Sequence, residues 1–324
     1  MFPWRVRHWL LPLLCAALSA QQAPLFRADV DLVRVVSTVK NQAGELVGVL
    51  QKGDFTVFDN GVRQEISVFE RRTELPLSVA LLVDTSGSTN KELLYETDSA
   101  SRFLRALLSE GNLEDSVALY TFNYEVTMQH DFTHNSKSLE ARLKTLHGDA
   151  GTALYDAIFL AARDLEPRQG RKVMVIVTDG GDTASSKDVH TALQAAQLAD
   201  AVIYPVVVMP ITNAAGRNIG GEHALQFMAE GTGGRPFMPS VGSALDKAFS
   251  DIVTELRTQY LLGFYPHDAP LTRDPFHKLE VRVGRPELRV SARNGYYGEV
   301  EGGTGTSGAR TSVVPDGEKK RQKK

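Results

Sequence analysis

The 324-residue sequence predicts an α/β protein: a doubly wound, mostly parallel sheet at its centre, with a β-sandwich-like domain built from the N- and C-terminal flanks. Three observations predict it. Between residues 76 and 259 long apolar runs alternate with amphipathic stretches, the rhythm of strand, helix, strand. On either side, at 28–72 and 260–297, hydrophobic residues recur at the two-residue period of half-buried strands. Neither flank alone has enough strands for a stable sheet, whereas the six or seven strands of both together approach a sandwich. The composition, 42% hydrophobic and 23% charged, is that of an ordinary globular chain and excludes a collagen-like repeat or a multi-span membrane protein.

The elements follow in chain order. Residues 1–20 (MFPWRVRHWLLPLLCAALSA) join basic Arg5 and Arg7 to an apolar stretch, Leu10 to Leu18, and to small residues Ala17, Ser19 and Ala20. That is the pattern of a secretory signal peptide. The apolar stretch is shorter than the roughly 20 residues a spanning helix needs. The expectation is an exported chain, periplasmic or extracellular, with no transmembrane segment after cleavage. Cys15 falls in the part expected to be removed, and one thiol excludes intrachain disulfides and Cys-ligated metal sites.

Residues 25–75 form the first β-rich flank. Val30, Leu32, Val35 and Val39 lead to a turn at 41–44, then to Phe55-Thr56-Val57-Phe58. The turn Asp59-Asn60-Gly61 precedes Ile66-Ser67-Val68-Phe69, and an Asn-Gly between such runs is a strong hairpin signal. The α/β domain spans 76–259. Its strands are read at Leu77 to Val83, Ser116 to Phe122, Lys172 to Thr178 and Ala201 to Val208, with a short one at 235–239. Helices are read at 91–109, 137–146, 152–166, 187–199, 222–230 and 243–259. Pro205 predicts a bulge or a gap in pairing. The second flank, 260–299, holds Tyr260 to Tyr265, Leu279 to Val283, Leu288 to Ala292 and Tyr296-Tyr297. Helix 243–259 runs into the strand at Tyr260 with little gap, which predicts that a shift of one moves the other. Residues 300–324, Gly/Ser/Thr-rich and then basic, read as a disordered tail.

Charge narrows the partners. The 36 basic and 39 acidic residues give −3, but both ends are basic, and residues 21–300 alone carry −8. A body of that sign disfavours nucleic acid and suits cations.

Asp84-Thr85-Ser86-Gly87-Ser88 follows the first buried strand, at the carboxyl end where open α/β sheets hold ligands. Its alternate residues offer a carboxylate and two hydroxyls. A second loop carries Gly151-Thr152, and a third carries Thr178-Asp179-Gly180. Oxygen donors from three loops, two of them carboxylates, suit Mg2+, with Mn2+ or Ca2+ as alternatives. Each residue also has a plainer role: the Asp-x-Ser-x-Ser as a turn and helix cap, Thr152 as a cap for the next helix, Asp179 as a turn former. Asp182 is a weaker candidate, read as a solvated loop acid with a supporting role behind the metal ligands as the alternative. His130 and His134 are four apart, but the residues between them read as strand and turn, without the H-E-x-x-H pattern of a zinc helix. Gly180-Gly181 and Gly233-Gly234 are not phosphate-binding loops, since no Gly-x-Gly-x-x-Gly or Lys-bearing P-loop follows a strand, and no Gly-x-Ser-x-Gly elbow is present.

The ordered set Asp84-x-Ser86-x-Ser88, Thr152, and Asp179 within Thr-Asp-Gly resembles the metal-ion-dependent adhesion site of von Willebrand factor type A domains, over about residues 76–259. The opening Asp54-Phe55-x-Val57-x-Asp59-Asn60-Gly61 and the closing Tyr260-Leu261-Leu262-Gly263-Phe264-Tyr265 make the whole chain resemble exported acidobacterial proteins built around this domain. The resemblance implies a Rossmann-like fold and a non-enzymatic binding module. In it, Asp84, Ser86, Ser88, Thr152 and Asp179 hold Mg2+, and a carboxylate of a protein partner completes the ion's sphere. Two rival classes stand beside it. A metal-assisted hydrolase needs a base beside the ion, and the three loops contain no histidine. A scaffold would use the ion for stability alone.

Overall fold

An eight-residue run that is apolar on both sides belongs inside a sheet covered on both faces, and β5 (Leu77–Asp84) takes that place, buried along its whole length. In the computed structural model, which describes residues 32–71, 75–87, 92–109, 111–208, 218–270 and 275–298, β5 is the middle strand of five. The order is β7 (Val126–Thr133), β6 (Ser116–Phe122), β5, β8 (Arg171–Thr178), β9 (Ala201–Val207). All pairings are parallel except that of β7, which returns antiparallel along β6. The signal peptide expected at 1–20 with Cys15, the expected ligand Ser88, and the tail expected at 300–324 lie outside the described residues.

Side chains of β5 alternate between two cores, as the pleat requires. Leu77, Val79, Leu81 and Val83 join Phe103 of α1 (Leu93–Ser109), Leu139 of α2 (Ser136–Leu143) and Phe249 of α6 (Ser243–Thr258). Ala80 and Leu82 join Ile158 of α3 (Leu154–Leu165), Ala192 of α4 (Val189–Leu198) and Leu225 of α5 (Ile219–Thr232). The chain therefore leaves β5 toward one face and β8 toward the other. Such a reversal opens a crevice at the carboxyl ends of the two strands.

Two local expectations are corrected, and the strand read between His130 and His134 is extended. Pro205 makes neither a bulge nor a gap, since its register with Ile176 is unbroken. Its carbonyl accepts from Phe237 N on the side away from β8 (2.8 Å), so the missing N–H faces the sheet's outer edge, where a proline is tolerated. The strand expected at 235–239 is a single bridge between Val206 and Phe237. The stretch containing His130 is the edge strand β7, whose alternation is mostly exposed and therefore weak as a sequence signal.

Among the described residues the flanks supply eight strands in two four-stranded sheets. One has the order β12 (Arg289–Ala292), β1 (Val33–Lys40), β10 (Tyr260–Phe264), β4 (Ile66–Arg71). The other has the order β13 (Gly295–Tyr297), β11 (Phe276–Val283), β2 (Phe55–Asp59), β3 (Val62–Gln64). Both sheets mix strands from the two flanks, and their inner faces share one core of Val35, Phe55, Val57, Tyr260, Leu262 and Val281, among others. Asn60 (φ +47°) and Gly61 (φ +82°) make the two-residue hairpin turn between β2 and β3. The buried Asp59 carboxylate accepts from Tyr296 OH (2.7 Å) and meets His277 Nδ1 (3.0 Å), a polar link between the flanks.

Candidate metal centre

The three loops singled out in the sequence meet at the carboxyl ends of β5 and β8, held there by hydrogen bonds between them. In the first loop, Asp84 Oδ1 accepts from Ser86 N (2.8 Å), and Thr85 N continues the β6 ladder by donating to Phe122 O (2.8 Å). Asp84 Oδ2 accepts from Thr178 Oγ1 (2.6 Å), which ties the first loop to the end of β8. The second loop joins through a parallel bridge of Ser86 with Asp149, whose N–H donates to Thr85 O (2.8 Å). Gly151 (φ +82°) then turns the chain; a Cβ there would stand 2.7 Å from that of Tyr124, so glycine is required twice over. Thr152 follows, and its backbone is fixed to the third loop at both ends. Its N–H donates to Thr183 Oγ1 (3.0 Å), and its carbonyl accepts from Thr183 N (2.9 Å) and Ala184 N (3.0 Å). In the third loop Asp179 Oδ1 accepts weakly from Gly181 N (3.3 Å).

The structure thus brings Asp84, Ser86, Thr152 and Asp179 to one end of the sheet. Asp84, Ser86 and Thr152 are buried and Asp179 is half-buried. Thr152 does not cap α3: the N-cap residue is Ala153. Asp182 is corrected from solvated acid to capping group, since its Oδ1 accepts from Tyr155 N (3.3 Å) and Ser185 Oγ (2.5 Å) at the start of that helix. His130 and His134 lie on and just after β7 and bond only to backbone carbonyls.

Electrostatically the centre is an excess of acid. Burial pushes the Asp84 carboxyl up to about 6, with the charge of Asp179 adding to the effect, against hydrogen bonds from Thr178 and Ser86. Sequence reasoning missed three further buried acids, Glu92 and Glu96 at the start of α1 and Glu222 in the first turn of α5 beside Gly180. A signal existed for Glu96. It falls on the inward stripe Leu93, Glu96, Ala100, Phe103, Leu107, where an apolar residue belongs.

The donors present fit a small hard cation. They are all oxygens, two are carboxylates, and among the described residues no basic side chain contributes to the electrostatics of Asp84. Among the described residues no three His, Cys, Asp or Glu side chains cluster closely enough to clasp an ion by themselves. Hydroxyls and water would therefore make up the sphere, as Mg2+ commonly requires. A groove at the opposite end of the strands, lined by Pro76, Phe132 and Arg168 among others, contains none of these residues.

The von Willebrand factor type A domain profile matches residues 78–246. Among solved structures, the vWF domain of the type V pili tip protein Mfa5 from Porphyromonas gingivalis is similar at 14% identity and a TM-score of 0.46, over 56% of this chain and 95% of that one. The conserved hypothetical protein BatB from Bacteroides thetaiotaomicron is similar at 20% identity and a TM-score of 0.43, over 56% and 98%. The open conformation of the pilus adhesin SpaC from Lactobacillus rhamnosus GG is similar at 10% identity and a TM-score of 0.47, over 76% of this chain and 47% of SpaC. No curated protein matches the chain.

Proposed function

Because the chain belongs to the von Willebrand factor type A domain family, we propose that it is an exported protein-binding module whose contact with its partner depends on a divalent cation. We also propose, on the resemblance of its flanking motifs, that the whole chain is akin to exported acidobacterial proteins built around this domain. The observation that carries the reading is the hydrogen-bonded convergence of three loops on Asp84, Ser86, Thr152 and Asp179. A bound Mg2+ would supply an electrophile with a coordination position open to a carboxylate of a protein partner.

The chain's own residues do the rest. Asp84 and Asp179 would provide the two negative charges, and Ser86, Ser88 and Thr152 the neutral oxygens. Thr178 fixes one Asp84 oxygen, and the Ser86 amide fixes the other, so the carboxylate is held in one orientation before any ion arrives. The surroundings suit a protein partner. Tyr124, 61% exposed beside Gly151, and Ile219, 61% exposed one residue after Asn218 of the third-loop wall, offer apolar contact on two sides. A non-catalytic module is the reading we propose; a metal-assisted hydrolase is its rival, since the buried Glu96 carboxyl near Asp84 is the kind of acid such an enzyme would use.

A pull-down from envelope or culture medium tests it. The wild-type chain retains a partner in Mg2+ and releases it in chelator, and Asp84→Ala retains none in either condition. Equal retention in chelator and in Mg2+ refutes the reading. A chain that gains thermal stability from Mg2+ but shows no cation-dependent association is a scaffold instead.

A further inference from the structure

Glu96 has no evident reason to be where it is. It lies in the first turn of α1, on the stripe that faces the core, and is 1% exposed. Neither carboxylate oxygen has a hydrogen-bond partner among the described residues. Its electrostatic neighbours are Asp84, Glu92 and Asp179, all of the same sign, and among the described residues no basic side chain offsets them. Burial, followed by these three charges, holds the carboxyl well above its usual range. A buried, unpaired carboxylate is strongly unfavourable. Protonation alone does not resolve it, because the neutral acid also carries an O–H that would need an acceptor.

A cation at the centre resolves it. We propose that Glu96 is a third acidic group of the divalent-cation centre, acting through the ion's bound water rather than by direct ligation. The inference rests on the cation reading given under Proposed function. Direct ligation is disfavoured, because among the described residues no three acidic side chains stand close enough to clasp one ion. Mg2+ keeps several waters, and their polarised O–H groups are the donors that two unpartnered carboxylate oxygens lack. The consequence is functional. With three acids around it, the ion is held before a partner arrives, so the partner meets a loaded site and its carboxylate displaces one of the remaining waters.

The test is calorimetric titration of the full chain with Mg2+ alone, paired with thermal unfolding in chelator and in saturating Mg2+. The variants are the near-isosteric Glu96→Gln, Glu96→Met as a second replacement, and Asp84→Ala. Wild type is expected to bind Mg2+. Both Glu96 variants are expected to bind it at least tenfold more weakly, while melting at a higher temperature than wild type in chelator, where the unpaired charge is gone. That opposite pair of shifts is not produced by a residue that only packs. Unchanged Mg2+ affinity in Glu96→Gln overturns the inference and leaves the cation centre standing. A wild type that takes up no Mg2+ and matches Asp84→Ala overturns the centre itself, and the role of Glu96 with it.

Discussion

At Asp84, the needs of the fold and of the site oppose each other. The carboxyl is buried at the end of the central strand, and burial raises it from 3.8 to about 6. The native state therefore binds this proton more tightly than the unfolded chain does. The stability this contributes is full below about pH 4 and is lost as pH rises through 6. A shift of that size amounts to roughly 3 kcal/mol. In chelator, wild-type stability measured by urea unfolding should thus fall by about that amount between pH 4 and 7.5 relative to Asp84→Asn. Mg2+ should remove the difference, since the ion favours the ionised form. The two hydrogen bonds to Asp84 differ in how readily they were legible. The Ser86 amide lies two residues away and belongs to the turn that the Asp-x-Ser pattern announces. Thr178 lies 94 residues away and depends on β8 pairing with β5 in one register.

At the scale of elements, the centre depends on α5 lying against the third loop. Asn218 caps that helix by accepting from Gly221 N (2.9 Å), and Gly221 itself rests directly on Gly180. A Cβ at Gly221 would run into the Gly180 carbonyl oxygen, whereas one at Gly220 meets only Asn218 Oδ1, at 3.6 Å. Gly221→Ala should therefore cost about 1–3 kcal/mol by overpacking and push the Asp179 loop out of place. The readouts are chemical denaturation and Mg2+ titration, with Gly220→Ala as the control expected to retain Mg2+ affinity. The sequence placed this helix at 222–230, later than its observed start, because Ile219, Gly220 and Gly221 have neither the periodicity nor the propensity of a first turn. Packing against Gly180 accounts for the glycine at 221, and nothing in the structure requires the one at 220.

Across the whole molecule, the α/β unit and the flank sheets meet through buried polar groups at the end of α6. Glu255 accepts from Lys40 Nζ (2.7 Å), Arg235 Nε (2.9 Å) and Tyr204 OH (3.2 Å). Gln259, in the single-residue gap between α6 and β10, donates to Tyr204 OH (2.9 Å) and Thr38 Oγ1 (3.3 Å). The expectation that helix and strand move together thus gains a physical route, from α6 to β1 of the opposite flank. The flanks depend on each other as well. β1 has β10 and β12 as its only neighbours in its sheet, and β2 pairs with β11. A chain truncated after residue 259 should leave β1 and β2 without those partners, and limited proteolysis should cleave within 32–71 while 76–259 resists. Equal resistance of both segments would refute the mutual dependence.

What the sequence determined by itself was local. The apolar runs of β5, β8 and β9 and the stripes of α1, α3 and α6 specify element type and inward face, because strand and helix periods are properties of neighbouring residues. The donor-bearing loops were legible for the same reason: two are short stretches at the ends of β5 and β8, and the third opens α3. Tertiary structure decided what joins residues far apart. It paired Val35 with Leu262 and Val57 with Val281, set Thr178 against Asp84, turned Asp182 into a cap for α3, and enclosed Glu96 beside like charges. Pairing register and burial are fixed only when faces from separate segments meet, and no local period encodes which faces those will be.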